Sequence, residues 1–340
     1  DRSPSRGLGD VYKRQKTPST MKNLLIFTVT LLIPLCSCSQ TENTDTDEPV
    51  IPPPSNNYVL QGSMQGSAEL VEAGYTQIHQ YMRKIGWDYS EHPNSSSLDH
   101  KDGVHGEVIY DLFIRQYIFK LSIHANEKAL DGDRGKLIDR QRNEMKTQTT
   151  PSWYKLNGNW DEWQQLKWKF KIPKDFRPSG SFTHLHQLKA QEGNNGSPVI
   201  TITARSNGNG SNRRIQIIHN GDTEETTKGT IIDNLPLEDF EDEWIQVETE
   251  MHYTHNGSFS ITLSRLSDGK RLVQRSFDDI DLWRKGAISI RNKFGIYRSF
   301  GKTLTDENDR PTNGIKDEHI LLADFKVYEK NTNPDPQPHD

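Results

Sequence analysis

The chain has 340 residues, 42 Lys+Arg against 47 Asp+Glu for a net charge of −5, 32% hydrophobic residues and two cysteines. That length holds one large β or α/β domain, or two small ones. The acidic balance excludes a generally basic nucleic-acid binder, and Cys36 and Cys38 alone exclude a disulfide framework or a four-cysteine zinc site.

Residues 1–20 have no apolar period. The stretch Asp10-Val11-Tyr12-Lys13-Arg14-Gln15 resembles a translated library adapter, so this segment is set aside as a non-native scar before Met21. From Met21, Lys22 and the apolar run Leu24–Leu35 read as a signal segment over 21–37, since the run is too short to span a bilayer. Leu35-Cys36-Ser37-Cys38 resembles a bacterial lipobox. The small Ser37 makes Cys38 the lipid acceptor, while an ordinary secretion signal with a chance cysteine is the alternative. Cleavage before Cys38 removes Cys36, and lipidation leaves no free thiol for cysteine catalysis. Residues 38–57 are then a polar, Pro-rich tether, whose acidic stretch resembles the export signal of surface lipoproteins. The expected location is the bacterial outer membrane or cell surface, lipid-anchored, or otherwise periplasmic or secreted. Residues 331–340 form a second polar tail, leaving a single domain over 58–330.

Within it, Val71, Tyr75, Ile78, Met82 and Ile85 recur at steps of four and three, which predicts one helix inside 64–85, ended by Gly86. Residues 88–106 read as loop. From Val108 on, the period changes to two. Tyr117, Phe119, Leu121 and Ile123 alternate with polar residues, as do Leu166, Trp168, Phe170 and Ile172 with Lys167, Lys169 and Lys171. Further strands are expected at Val199–Arg205, Arg214–His219, Ile245–Tyr253, Phe259–Leu263, Ala287–Tyr297 and Leu321–Tyr328. Asn-Gly and Asp-Gly turns such as Asn220-Gly221, Asn256-Gly257 and Asp268-Gly269 separate strands of this kind. The fold class that follows is all-β: an antiparallel sandwich or jelly roll with a short N-terminal helix.

Three segments carry chemistry. In a strand, Arg140, Arg142, Glu144 and Lys146 share one face, an arrangement that favours an anion lying over it; a solvated, salt-bridged strand face is the alternative. His184 and His186, two apart, would point the same way and serve as a base or ligand pair, or simply as hydrogen-bonded surface residues; no third metal ligand is evident near them. Arg291, Lys293, Gly295 and Tyr297 share a third face, where cations lie beside a tyrosine; a core tyrosine at a strand end is the alternative.

Together, Arg142-Asn143-Glu144-Met145-Lys146, His184-Leu185-His186 and Lys293-Phe294-Gly295-Ile296-Tyr297-Arg298 resemble the motif strands of the jelly-roll polysaccharide lyases: the alginate, glucuronan and heparin-lyase-I types. Lys146 stands for the usual Arg, and His184 for the usual Gln. The resemblance spans roughly 108–328. It implies β-elimination on a uronic-acid polysaccharide such as alginate or glucuronan, with Arg142 and His184 on the carboxylate, His186 as base or carboxylate partner and Tyr297 as acid, or as both acid and base. It further implies Arg140, Lys146, Gln187, Lys293 and Arg298 as substrate-binding residues, with Glu144 orienting the arginines. No cofactor or metal is expected, with a structural Ca²⁺ left open. The expected partner is the acidic polysaccharide, with no nucleic acid, membrane contact through the N-terminal lipid alone, and a monomeric domain. The alternatives are a non-catalytic carbohydrate-binding surface lipoprotein, to which Trp153, Trp160 and Trp163 would contribute stacking, and a sandwich glycoside hydrolase. For the hydrolase, Glu248 and Glu250 share a strand face, but the Glu-x-Asp-x-x-Glu signature of the sandwich glucanases is missing.

Overall fold

The computed structural model describes residues 58–93, 104–125, 130–133, 139–304, 309, 311 and 314–330. The signal, Cys38, the tether and the C-terminal tail lie outside the described residues.

Among the described residues, fifteen strands form two antiparallel sheets. In chain order they are β1 (Val59–Met64), β2 (Trp87–Glu91), β3 (Gly106–Asp111), β4 (Gln116–Ile123), β5 (Arg140–Thr147), β6 (Trp163–Lys171), β7 (Thr183–Gln191), β8 (Ile200–Arg205), β9 (Arg214–His219), β10 (Gly229–Pro236), β11 (Ile245–His252), β12 (Gly257–Arg265), β13 (Arg271–Ile280), β14 (Ser289–Ser299) and β15 (Glu318–Glu329). One sheet runs β13-β12-β11-β6-β15-β4-β3, with β1 also on β15. The other runs β10-β9-β8-β7-β14-β5-β2. This is the β-sandwich expected from the period-two pattern.

The alternation explains the two layers. In β6, Leu166, Trp168 and Phe170 are buried while Lys167, Lys169 and Lys171 are only partly so. Lys167 and Lys169 pair with Glu248 and Asp324, so this row is a salt-bridged outer face. Between the sheets, Trp168 and Phe325 of one layer meet Phe294 and Trp87 of the other, with ring centroids 4.9–5.2 Å apart. Such aromatic contacts favour tilted and edge-on geometry over face-to-face stacking.

The helix is shorter than its apolar stripe suggested. α1 spans Tyr75–Lys84; Met64 belongs to β1, and Val71 lies before the helix and is exposed. Gly86 follows the helix with φ +88°, a conformation that favours glycine. The segment expected as loop contains β2, an edge strand on β5. Edge strands β10 and β13 were also not foreseen.

Candidate functional site

The functional candidates gather on the outer, polar face of the seven-stranded sheet. Register explains how. Tyr297 of β14 lies opposite Arg142 of β5 on one side and His184 of β7 on the other; Lys293 lies between Lys146 and Gln187 in the same way. Alternation then brings Arg140, Arg142, Glu144 and Lys146 to the face with Arg291, Lys293, Gly295 and Tyr297, as their spacing predicted.

The floor of this face is an ion-pair network. Arg142 Nη1 lies 2.6 Å from Glu91 Oε2, and its Nε and Nη2 fork onto Asp133 at 3.0 and 3.1 Å. Lys293 Nζ lies 2.6 Å from Glu91 and 2.8 Å from Glu144, and Lys146 Nζ lies 2.9 Å from Glu91. Burial pushes the Glu91 carboxyl up, but Lys293, Arg142 and Lys146 outweigh it and hold the group well below the usual carboxylate range. The anion expected over the Arg142 strand is therefore supplied by the chain itself.

Gln187 donates to Glu144 across β14. Gly295, which pairs with Glu144, brings no side chain to the face there. Its φ is +144°, and a Cβ there would lie 2.1 Å from the carbonyl oxygen of Asn143.

Above the floor stands Tyr297, partly exposed. Its hydroxyl accepts from Arg140 Nη1 at 2.8 Å, and the Arg142 guanidinium sits 3.9 Å from its ring centroid. Arg140 is itself held by the adjacent Asp139. The rings of His184 and Tyr297 are 6.0 Å apart. His184 Nδ1 bonds the Thr203 hydroxyl at 2.8 Å, and Thr203 continues to Thr201 at 2.7 Å. Burial first, then the charges of Arg205, Lys293, Arg142 and Lys189, push the imidazole pKa down to about 3, so His184 is neutral at physiological pH.

Two sequence expectations are corrected here. His184 and His186 do not share a face. Leu185 is an extra residue in β7, so His184 pairs with Thr203 but His186 pairs with Ile202, and the bulge turns His186 into the core. There His186 is 2% exposed, packs on Trp168 and Phe294, and has its pKa pushed down to about 3 by burial. Arg298 likewise faces inward, one residue after the outward Tyr297. It is fully buried and donates to Gln141, Arg177 O and Lys316 O rather than lining the polar face.

Sequence reasoning missed Glu91, Asp133 and Lys189. Lys189 follows Gln187 by two, which is a readable signal, and lies opposite Arg291 in register. Burial and then Lys293 and Arg291 push its pKa down to about 8. Lys189, Arg291 and Arg205 form no ion pair among the described residues, so they are this face's cations without a carboxylate of their own. The three tryptophans are engaged within the chain: Trp160 meets Trp283 edge-on, Trp163 stacks on His252, and Trp153 abuts Gly86.

No protein-family model matches the chain, and no curated protein matches it. Among solved structures, the fold is similar to an endo-β-1,4-glucuronan lyase from the fungus Trichoderma reesei (14% identity, TM-score 0.45, covering 74% of this chain and 98% of that one). It is also similar to a marine alginate lyase from Aplysia kurodai (10% identity, TM-score 0.45, 79% and 98%) and to an alginate lyase from Pseudomonas aeruginosa (13% identity, TM-score 0.39, 66% and 86%). These are likenesses of the sandwich fold alone.

Proposed function

We propose that the polar face binds an acidic, uronate-containing polysaccharide and cleaves it by β-elimination. The observation that carries this is the cross-strand pair of Tyr297 and a neutral His184, set among Arg140, Arg142, Lys293 and Arg205. From Arg291 to Tyr297 the face extends about 20 Å along β14, at roughly 3.3 Å per residue, enough for a chain of sugars rather than one.

The chemistry divides among these side chains. The Tyr297 oxygen accepts from Arg140, which leaves its own proton directed elsewhere, toward a leaving O4. Neutral His184, held at Nδ1 by Thr203, offers Nε2 to the C5 proton. As that proton moves to His184, the C4–O4 bond breaks, C4=C5 forms and the Tyr297 proton passes to O4; solvent then returns both groups to their starting protonation. Arg140 and Arg205 face the uronate carboxylate nearest the reaction, while Arg291 and Lys189 hold a neighbouring one. Positioned donors at the developing enolate supply the largest share of rate, and proton transfer adds about 10²–10⁴-fold. The base role expected for His186 falls to His184, because His186 faces the core.

A second reading has its own support. Arg142, Lys146 and Lys293 are already paired with Glu91, Glu144 and Asp133, as suits a face that binds sugar without chemistry. Incubation with alginate, glucuronan, ulvan and heparin separates the two. Elimination yields unsaturated, ultraviolet-absorbing ends, whereas a binding module retains polymer without cutting it. Tyr297→Phe is expected to abolish unsaturated product while still binding polymer; full activity in that variant overturns the mechanism. Lipidation at Cys38 and display at the outer membrane or cell surface belong to the same proposal, since a tethered enzyme would meet a polymer too large to enter the cell. Labelling with a fatty-acid analogue, lost in Cys38→Ala, tests the anchor.

A further inference from the structure

Away from the polar face, three side chains from separate segments converge. His105 precedes β3, His124 follows β4, and Asp131 lies in the segment leading to β5. His105 Nε2 is 3.0 and 3.1 Å from the two Asp131 oxygens, His124 Nδ1 is 3.2 Å from Asp131 Oδ2, and the two ring nitrogens are 3.1 Å apart. We propose that His105, His124 and Asp131 bind one transition-metal ion of the zinc type.

The geometry is that of a ligand face. With metal–nitrogen and metal–oxygen bonds of about 2.0–2.1 Å, the edges of a tetrahedron are about 3.3 Å. The observed N···N and N···O separations lie just inside that value, so an ion seated slightly off the plane of the three atoms reaches all of them with a small outward adjustment. The donor set of two imidazoles and one carboxylate suits zinc and its neighbours. Calcium instead takes six to eight oxygens. His105 and Asp131 are buried, whereas His124 is partly exposed. An ion held there keeps its fourth position toward the more open side.

The surroundings support the ligands. Asp131 Oδ2 also accepts from His124 N at 2.6 Å. Gln141 Nε2 donates to His124 O and Asp131 O, and Asn143 Nδ2 donates to His105 O and Ser122 O. Both amides project inward from β5, the strand whose opposite face carries Arg142. These amides fix the backbone from which the three ligands project.

The site also bears on the polar face. Gly132 O accepts from Arg142 N at 3.1 Å, and Asp133 holds the Arg142 guanidinium. An ion on Asp131 thus anchors the three-residue span that positions Arg142 beneath Tyr297. Binding itself is independent of what that face does.

The test uses the full chain, stripped with a chelator and titrated with Zn²⁺ and Co²⁺. One equivalent of Zn²⁺ is expected at micromolar concentration, with a raised thermal midpoint that chelation reverses, and bound Co²⁺ is expected to show the strong visible bands of a four-coordinate site. His124→Gln, at the least buried ligand, is expected to weaken Zn²⁺ binding more than about tenfold, as is Asp131→Asn if it folds. His252→Gln, at the separate His252–Asp161 pair, is expected to change nothing. Absence of a saturable equivalent, equal binding in His124→Gln, or a preference for Ca²⁺ overturns the proposal.

Discussion

Glu91 is the test of how the polar face is held together. Its carboxylate meets Arg142 and Lys293 at 2.6 Å and Lys146 at 2.9 Å, and its side chain is 6% exposed. At an effective dielectric of about 20, each contact is worth about 6 kcal/mol of gross Coulomb energy, much of it offset by desolvation. Glu91→Gln keeps the shape but removes the charge. Glu144 and Asp133 are then left to balance three cations in a nearly dry floor. Breaking a buried pair on one side costs about 3–5 kcal/mol, and that is the expected loss in denaturant unfolding at neutral pH. The sign with pH follows from the depressed Glu91 pKa: its stabilisation is present above the ordinary carboxylate range and fades as pH falls through the native value. The gap between wild type and variant should therefore narrow in acid. A polyuronate should restore more thermal stability to Glu91→Gln than to wild type, because its carboxylates replace the missing charge, and neutral dextran should do neither. A loss below about 1 kcal/mol, or a gap that widens in acid, refutes the account.

Other consequences are independent. His186→Gln, in the core, is expected to lower stability by about 1–3 kcal/mol through a poorly satisfied buried amide, yet leave the turnover of the surviving folded protein near wild type, while His184→Ala abolishes it; activity assays beside unfolding curves separate the two. Gly295→Ala is expected to lose more than about 2 kcal/mol, because the positive φ is strained for alanine and its Cβ meets the carbonyl of Asn143. At the far end of β15, Glu329 and Glu162 are 2% and 1% exposed, and an Oε1 on each lacks a donor. Burial raises both carboxyls above their usual range, so the folded pair keeps a proton that the unfolded chain has released. Stability should fall as pH rises from about 5 to about 9, and Glu329→Gln should flatten that slope; an unchanged slope in the variant counts against the shared proton.

Much of the sandwich was legible because its interior strands have one dry and one wet face. β6 and β12 alternate almost without fault, and their neighbours follow. The strands missed are edges. β13 (Arg271–Ile280) and β10 (Gly229–Pro236) are largely exposed, so no apolar alternation marks them. β2 was hidden by its brevity and by an irregularity in its pairing with β5 between Asp88 and Glu91, which brings Glu91 to Arg142 although Trp87 and Tyr89 point into the core. The same kind of defect misled the histidine reading. Parity along a strand holds only until a bulge, and no residue type in Thr183-His184-Leu185-His186 announces the extra Leu185. The Arg142 and Tyr297 strands have no such defect on that face in their mutual pairing, and there spacing alone placed the side chains correctly.

A division of labour follows from burial. Lys293 and Glu144 are 3% and 0% exposed at the side chain, and with Arg142, Glu91 and Asp133 they form a floor whose charges nearly cancel. Such a floor gives little net attraction for a polyanion, but it fixes Arg142 under the Tyr297 ring and Gln187 on Glu144, the preorganisation that the proposed elimination would use. Attraction must come from the rim instead. Arg140 is a third exposed although paired with Asp139, and Arg205, Lys189 and Arg291 lack carboxylate partners among the described residues, so the fields of these three reach an approaching chain undiminished by a counter-charge of their own. The near-neutral balance of the whole sequence is thus compatible with an acidic ligand. Internal pairing neutralises the cations of the floor, while Arg205, Lys189 and Arg291, unpaired among the described residues, stand on the face that carries Tyr297 and His184.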